Sequence, residues 1–169
     1  MTAVTPELLS RFDIPGPRYT SFPTADRFVE AFGADDYILA LEQRKAHTGA
    51  RALPLSVYVH VPFCESLCYY CACNKIVTKH HEKAAEYLDY LARELTMHTA
   101  HCGKGQVVSQ LHLGGGTPTF FSDAELQQLM ALMREHFKLD TAGEYSIEVD
   151  PRTVSNERLK VLKDMGFNR

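Results

Sequence analysis

No stretch of this 169-residue chain approaches the ~20 consecutive apolar residues of a membrane-spanning helix. The opening, Met1-Thr2-Ala3-Val4-Thr5-Pro6-Glu7, lacks a basic segment leading into an apolar run, so no secretory signal is expected. An excess of one charge is missing too: the net charge of -3 gives no electrostatic reason to expect nucleic acid or a membrane surface as partner. Cysteine is scarce and unevenly placed. Four of the five fall within ten positions, which suits a metal site in a reducing compartment better than a disulfide framework, and the cytoplasm is the expected location. What remains, 45% hydrophobic and 23% charged, is ordinary globular material for about one domain.

The crowded cysteines form the most informative run, Cys64-Glu65-Ser66-Leu67-Cys68-Tyr69-Tyr70-Cys71, reached directly from the extended apolar stretch Leu55 to Val61. Three thiolates on one short loop can hold three irons of a [4Fe-4S] cube and leave the fourth iron without a protein ligand. An open metal position implies chemistry, as it does at catalytic zinc. Structural zinc is the plainer alternative. It usually takes two short cysteine pairs, and no second pair exists here, although Cys73 could complete a tetrahedral site.

Beyond the cysteines the pattern alternates. Ala84, Tyr87, Leu88, Leu91, Ala92 and Leu95 predict an amphipathic helix over about 80–101, ended by Gly103. Gln106 to Leu113 reads as a buried strand running into Gly114-Gly115-Gly116-Thr117-Pro118-Thr119, a turn that no regular element should contain. Ser122 and Glu125 form a capping box for a helix with Leu126, Leu129, Met130, Met133 and Phe137 on one stripe. Tyr145 to Val149 alternates as a third strand. Ser155 then caps a last helix through Leu159, Leu162 and Met165, stopped by Gly166.

This is the grammar of an α/β fold, a parallel sheet of βα units with right-handed crossovers. Residues 1–52 are expected to form an N-terminal arm and helices, with a short helix opening at Pro6, and 53–169 the core domain. In such sheets the chemistry sits at the carboxyl ends of the strands. The cysteine loop, the glycine loop and Glu148 all fall there. A fourth strand should start near Gly166 to Arg169, so the third strand is expected to have a bare edge, prone to pairing with other chains.

Single residues carry alternatives. The glycine loop is neither a Walker loop nor a G-x-G-x-x-G fingerprint, and it is a tight turn, a place where a ligand meets bare backbone, or both. Glu148 is a paired carboxylate or an acceptor for a ligand hydroxyl or ammonium. Tyr58 and His60 are core residues of the first strand or contacts to a ligand. Asp150 and Arg152 suit a turn and a local ion pair. Arg18 and Tyr19, in a stretch stiffened by Pro15, Pro17 and Pro23, are substrate contacts or parts of an arm.

The C-x3-C-x2-C run with Tyr70 before its last cysteine resembles the signature of the radical S-adenosylmethionine (SAM) superfamily. Three further pieces narrow the match: Pro15-Gly16-Pro17-Arg18-Tyr19-Thr20-Ser21-Phe22-Pro23-Thr24, the lead-in His60-Val61-Pro62-Phe63-Cys64, and Cys71-Ala72-Cys73-Asn74-Lys75-Ile76-Val77. Together they resemble the oxygen-independent coproporphyrinogen III oxidase family. Haem-chaperone-like radical SAM proteins share the lead-in, but they typically lack the Pro-Gly-Pro-Arg-Tyr-Thr segment and carry an aspartate and an aromatic residue where this chain has Ala72 and Cys73.

The resemblance implies about half of a partial (β/α)6 barrel, as an amino-terminal portion of a longer, monomeric enzyme. It implies a [4Fe-4S] cluster held by Cys64, Cys68 and Cys71, with SAM cleaved at the open iron. Two SAM molecules are implied: Tyr58, Gly115, Gly116, Thr117 and Glu148 contact the first, and Tyr70 the second. A substrate or proton role is implied for His60. The implied reaction is oxidative decarboxylation of two propionates of coproporphyrinogen III, with electrons from an external donor. A haem-binding protein without oxidase activity, or an inactive cluster-binding fragment, are the other readings.

Overall fold

In the first strand, apolar and polar side chains alternate, and that alternation sets the two faces of the sheet. Val57, Val59 and Val61 share one parity, and Ser56, Tyr58 and His60 the other. In the computed structural model, which describes residues 5–13, 24–46, 53–69, 71 and 73–169, this strand is β1 (Leu55–Val61). It pairs in parallel with the central strand β4 (Val107–Gly115), which pairs in parallel with β5 (Lys138–Ile147). Two short strands, β2 (Phe63–Cys64) and β3 (Ile76–Val77), form a separate parallel pair beside the cysteine loop.

Parallel neighbours need a crossover between them. Helix α3 (Lys83–Cys102) lies between β3 and β4, α4 (Asp123–His136) between β4 and β5, and α5 (Asn156–Asp164) follows β5. The capping box expected at Ser122 is present: Ser122 Oγ accepts from Glu125 N–H, and the Glu125 carboxylate accepts from Ser122 N–H at 2.8 Å. Ser155 caps α5 in the same way, through Arg158 N–H. Gly103 and Gly166, at φ 91° and 110°, follow α3 and α5 with backbone that L side chains rarely adopt.

The helices cover one face of the sheet. Val59, Val61, Val108, Leu111, Leu113 and Tyr145 pack there against Leu88, Leu91 and Leu95 of α3 and Leu126, Leu129, Met130 and Met133 of α4. Each such side chain, fully buried, contributes about 1.5–3 kcal/mol. The other face is polar and in register: Ser56, Gln110 and Glu144 form one rung, and Tyr58, His112 and Ser146 the next. Parallel strands covered on both faces read as continuous apolar runs; these alternate, and their second face is polar.

Several element boundaries differ from the sequence expectation. Helix α3 starts at Lys83, because a tight turn closes first, with Lys83 N–H on His80 O and Ala84 N–H on His81 O. Strand β4 does not stop before the glycines; Gly114 and Gly115 pair with His60 and Val61. Strand β5 begins at Lys138. Leu139 opposes Val108 and Glu144 opposes Gln110, so residues 140–143 loop out, held by Ala142 N–H on Asp140 Oδ1 and by Tyr145 Oη donating to Asp140 O. Leu159 of α5 is exposed, while Leu162 and Met165 are buried.

The bare edge expected on the third strand is partly closed. Asn168 N–H donates to Tyr145 O at 2.8 Å and Ile147 N–H to Arg169 O at 3.1 Å, while the Asn168 side chain bonds Tyr145 N–H and Gly143 O. The chain divides into two compact units, Met1–Tyr37 and Ile38–Arg169. The first contains α1 (Pro6–Phe12), capped by the Thr5 hydroxyl, and α2 (Ala34–Ala46) begins in it. No helix among the described residues is long and apolar enough to cross a membrane.

Candidate functional site

The site grows from the join between β1 and the loop it feeds. Gly116 N–H donates to Val61 O at 2.6 Å and Thr117 N–H to Phe63 O at 2.7 Å, so the glycine loop is stapled to the cysteine lead-in. Ile76 N–H on Pro62 O and Thr78 N–H on Cys64 O clamp the lead-in from its other side. A Cβ on Gly116 would lie 2.6 Å from Phe63 O and 2.9 Å from Val61 O. Only glycine allows this approach, so part of the loop's composition is dictated by strand packing. Gly115, at φ 107°, sits against the His60 ring and turns the chain out of β4.

Cys64 is thereby buried and fixed, with Thr117 Oγ1 3.7 Å from its sulfur. Cys68 is exposed and Cys71 half-buried. Cys71 N–H donates to Cys68 O, and Cys73 N–H lies 3.3 Å from Cys71 Sγ. Hydrogen bonds from the Cys73 backbone and then from its thiol, with Lys75 nearby, hold the Cys71 thiol below its usual range. The Cys73 thiol is raised, chiefly because it donates to Cys71. Cys102, the last residue of α3, is buried away from this loop, and burial raises its thiol.

Cys64, Cys68, Cys71 and Cys73 line one cavity of ≈ 1040 Å³ together with Gly115, Gly116 and Glu148. Among the described residues no three His, Cys, Asp or Glu side chains are drawn together as a metal ligand set. Cysteine ligands close around a centre as it binds, and of these Cys64 is buried while Cys68 is exposed. The cavity is at the upper end of small-molecule sites in size. Its wall holds a buried hydroxyl, Thr119 Oγ1, with no partner among the described residues. A soft donor set, glycine backbone and a free hydroxyl suit a thiolate-bound cluster with an organic ligand beside it.

Glu148 lies one residue beyond β5. Its Oε2 accepts from Gly115 N–H at 3.1 Å and its Oε1 lies 3.4 Å from His112 Nε2. Tyr58 is on the open polar face, 55% exposed, not in the core. Partial desolvation, then the charges of Glu148 and Cys73, raise its phenol. His60 has both ring nitrogens engaged, Nδ1 with Tyr58 Oη at 3.0 Å and Nε2 with Asn74 O at 2.8 Å. Asp150 and Arg152 form the expected turn and ion pair. Hydrogen bonds from the Arg152 side chain and backbone hold the Asp150 carboxyl down at about 2, and Arg152 Nη2 also reaches Ser66 Oγ in the cysteine loop at 3.4 Å.

Tyr70, Arg18 and Tyr19 lie outside the described residues. His112 and Ser146 were not singled out by the sequence reading. The signal that finds them is parity: on β4, His112 interrupts an apolar strand at the same parity as Gly114, and register places it beside Tyr58.

The model of the radical SAM superfamily matches residues 58–169. The chain is 48% identical over 166 residues to an oxygen-independent coproporphyrinogen III oxidase of Pseudomonas aeruginosa, covering 96% of this chain and 35% of the relative. It is 42% identical over 144 residues to one of Mannheimia haemolytica, covering 85% and 94%. The chain is a member of the radical SAM superfamily, in the oxygen-independent coproporphyrinogen III oxidase family. A solved structure, coproporphyrinogen III oxidase (HemN) from Escherichia coli, described as a radical SAM enzyme, superposes with TM-score 0.78 at 48% identity, covering 89% of this chain and 33% of that one. The parallel βα sheet is thus a portion of the radical SAM fold. A [4Fe-4S] cluster and SAM are, in general, the superfamily's cofactors. The chain spans about a third of the length of the Pseudomonas relative and of the solved enzyme.

Proposed function

We propose that the chain carries the cluster site and first SAM site of an oxygen-independent coproporphyrinogen III oxidase, which turns two propionates of coproporphyrinogen III into vinyl groups. The observation that carries this reading is the single cavity lined by Cys64, Cys68, Cys71, Gly115, Gly116, Thr117 and Glu148 within a match to that family. Cys64, Cys68 and Cys71 would hold the cluster, leaving one iron open. When bound, the cluster and SAM supply one-electron reductive cleavage and hence a hydrogen-abstracting adenosyl radical. Each propionate loses a β-hydrogen, carbon dioxide and one electron, so an external donor and a terminal acceptor are partners of the reaction.

The chain's own residues do the positioning. Gly115 and Gly116 present bare backbone to the methionyl end of SAM, with Thr117 beside Cys64. Glu148, held by Gly115 N–H, offers its remaining lone pairs to a SAM hydroxyl or ammonium. Tyr58 presents a ring beside that carboxylate. Tyr70 is assigned to a second SAM, which suits an enzyme that treats two propionates. His60, fixed by Tyr58 and Asn74, orients the Tyr58 hydroxyl, and any proton it moves passes along that contact. Cytoplasmic location, a monomeric state and the division at residues 52 and 53 belong to the same reading.

The test is an anaerobic incubation of the reconstituted chain with SAM, a one-electron reductant and coproporphyrinogen III. The expected products are 5'-deoxyadenosine, carbon dioxide and a porphyrinogen bearing vinyl groups. SAM cleavage without any decarboxylated product, alongside tight haem binding, would replace the oxidase with a haem-binding role.

A further inference from the structure

The polar face of the sheet contains one ring that the reading above leaves unused. His112, in the middle of β4, is in register with Tyr58 on one side and Ser146 on the other. Its plane stacks on Tyr58, with centroids 5.6 Å apart and 20° between the rings. Its Nδ1 lies 2.7 Å from Ser146 Oγ and its Nε2 3.4 Å from Glu148 Oε1. Glu148 in turn takes the Gly115 N–H. A single side chain therefore touches two of the residues assigned to the first SAM, Tyr58 and Glu148, and through Glu148 reaches the glycine loop.

The partners fix the proton. An ionised carboxylate only accepts, so Nε2 carries the hydrogen and donates to Glu148. In the neutral ring Nδ1 then accepts, and the Ser146 hydroxyl donates to it. The serine hydroxyl, which can donate or accept and also lies 3.4 Å from Leu111 O, follows the tautomer that the carboxylate sets.

We propose that His112 is a positioning residue of the SAM site, holding the Glu148 carboxylate and the Tyr58 ring in the orientation that receives SAM, in the tautomer that the carboxylate sets. This inference rests on the SAM reading of the cavity. The bond to Glu148 withholds one carboxylate oxygen from free rotation, and Gly115 withholds the other, so the lone pairs left to a ligand point in a defined direction. The stacked ring keeps Tyr58 upright on an otherwise open face.

Amide side chains separate the two nitrogens. A glutamine reaches the place of Nε2 and keeps the donor to Glu148; an asparagine reaches only the place of Nδ1. The experiment is SAM binding to the cluster-loaded chain by anaerobic equilibrium dialysis, with thermal unfolding of each variant and nitrogen NMR of the histidine ring in the cofactor-free protein. The expected result is about a tenfold loss of SAM affinity in His112→Asn, with His112→Gln nearer to wild type and unfolding midpoints alike. The ring should show hydrogen on Nε2, and Glu148→Gln, whose amide can accept or donate, should mix the tautomers. Equal affinity in His112→Asn, or equal losses of affinity and stability in both amide variants, would overturn the proposal and leave SAM binding intact. Failure of the wild-type chain to bind SAM while holding its cluster would instead remove the SAM reading and this inference with it.

Discussion

Gly116 is where packing leaves least room for another residue. A methyl there meets the backbone of Val61, Pro62 and Phe63 at 2.6–2.9 Å, and backbone on both sides cannot yield as a side-chain tip would. Gly116→Ala is expected to cost about 2–4 kcal/mol, measured by denaturant unfolding, and to loosen the cysteine lead-in. Gly105→Ala, at φ 80° but in open space, should cost only about 1 kcal/mol. Arg152 makes a pH prediction. The Asp150 carboxyl is held at about 2 against an ordinary 3.8, so its contribution is fully present above about pH 4 and is lost as pH falls toward 2. In Arg152→Gln the carboxyl should titrate back toward 3.8 by carbon NMR, and that acid-side loss of stability should shrink. At this scale the meeting of the cysteines, Glu148 and the glycines around one cavity was legible, because a cysteine run, a strand end and a glycine run mark the carboxyl ends of the strands. His112 was not: its role comes from strand register, which no local pattern contains.

Among the elements, α4 was the most legible from sequence. Its capping box and its 3.6-residue stripe point to the same helix, and the structure has it from Asp123 to His136. Ser122→Ala should therefore cost about 1 kcal/mol, since the Glu125 N–H then loses its acceptor. Met133→Ala, at a fully buried position between helix and sheet, should cost about 2–5 kcal/mol. Thermal or urea unfolding of both variants checks the ranking. The strands were less legible at their ends. Glycine usually punctuates, yet Gly114 and Gly115 continue β4, because pairing with His60 and Val61 outweighs the entropy their backbone loses. Strand β5 starts seven residues before the alternation that marks it, since its first pairs lie before a looped-out segment that breaks the period.

At the scale of the molecule, sequence order alone implied the parallel sheet, and strand polarity implied that the loops carrying chemistry meet at one end. The two-stranded pair of Phe63–Cys64 with Ile76–Val77, which fixes Cys64, escaped notice because strands of two residues leave no periodic trace. The polar face explains the placement of the site: three neighbouring strands turn Tyr58, His112 and Ser146 away from the helices, and the cavity opens where those strands end. The central claim is that Cys64, Cys68 and Cys71, without Cys73, hold a cluster with an iron open to SAM. Anaerobic reconstitution with iron and sulfide, then electron paramagnetic resonance of the dithionite-reduced protein with and without SAM, tests it most directly. The account predicts a [4Fe-4S]+ signal that changes on adding SAM, survives Cys73→Ala, and disappears in the alanine variant of any of the other three. A signal indifferent to SAM, or one that needs Cys73, would contradict it.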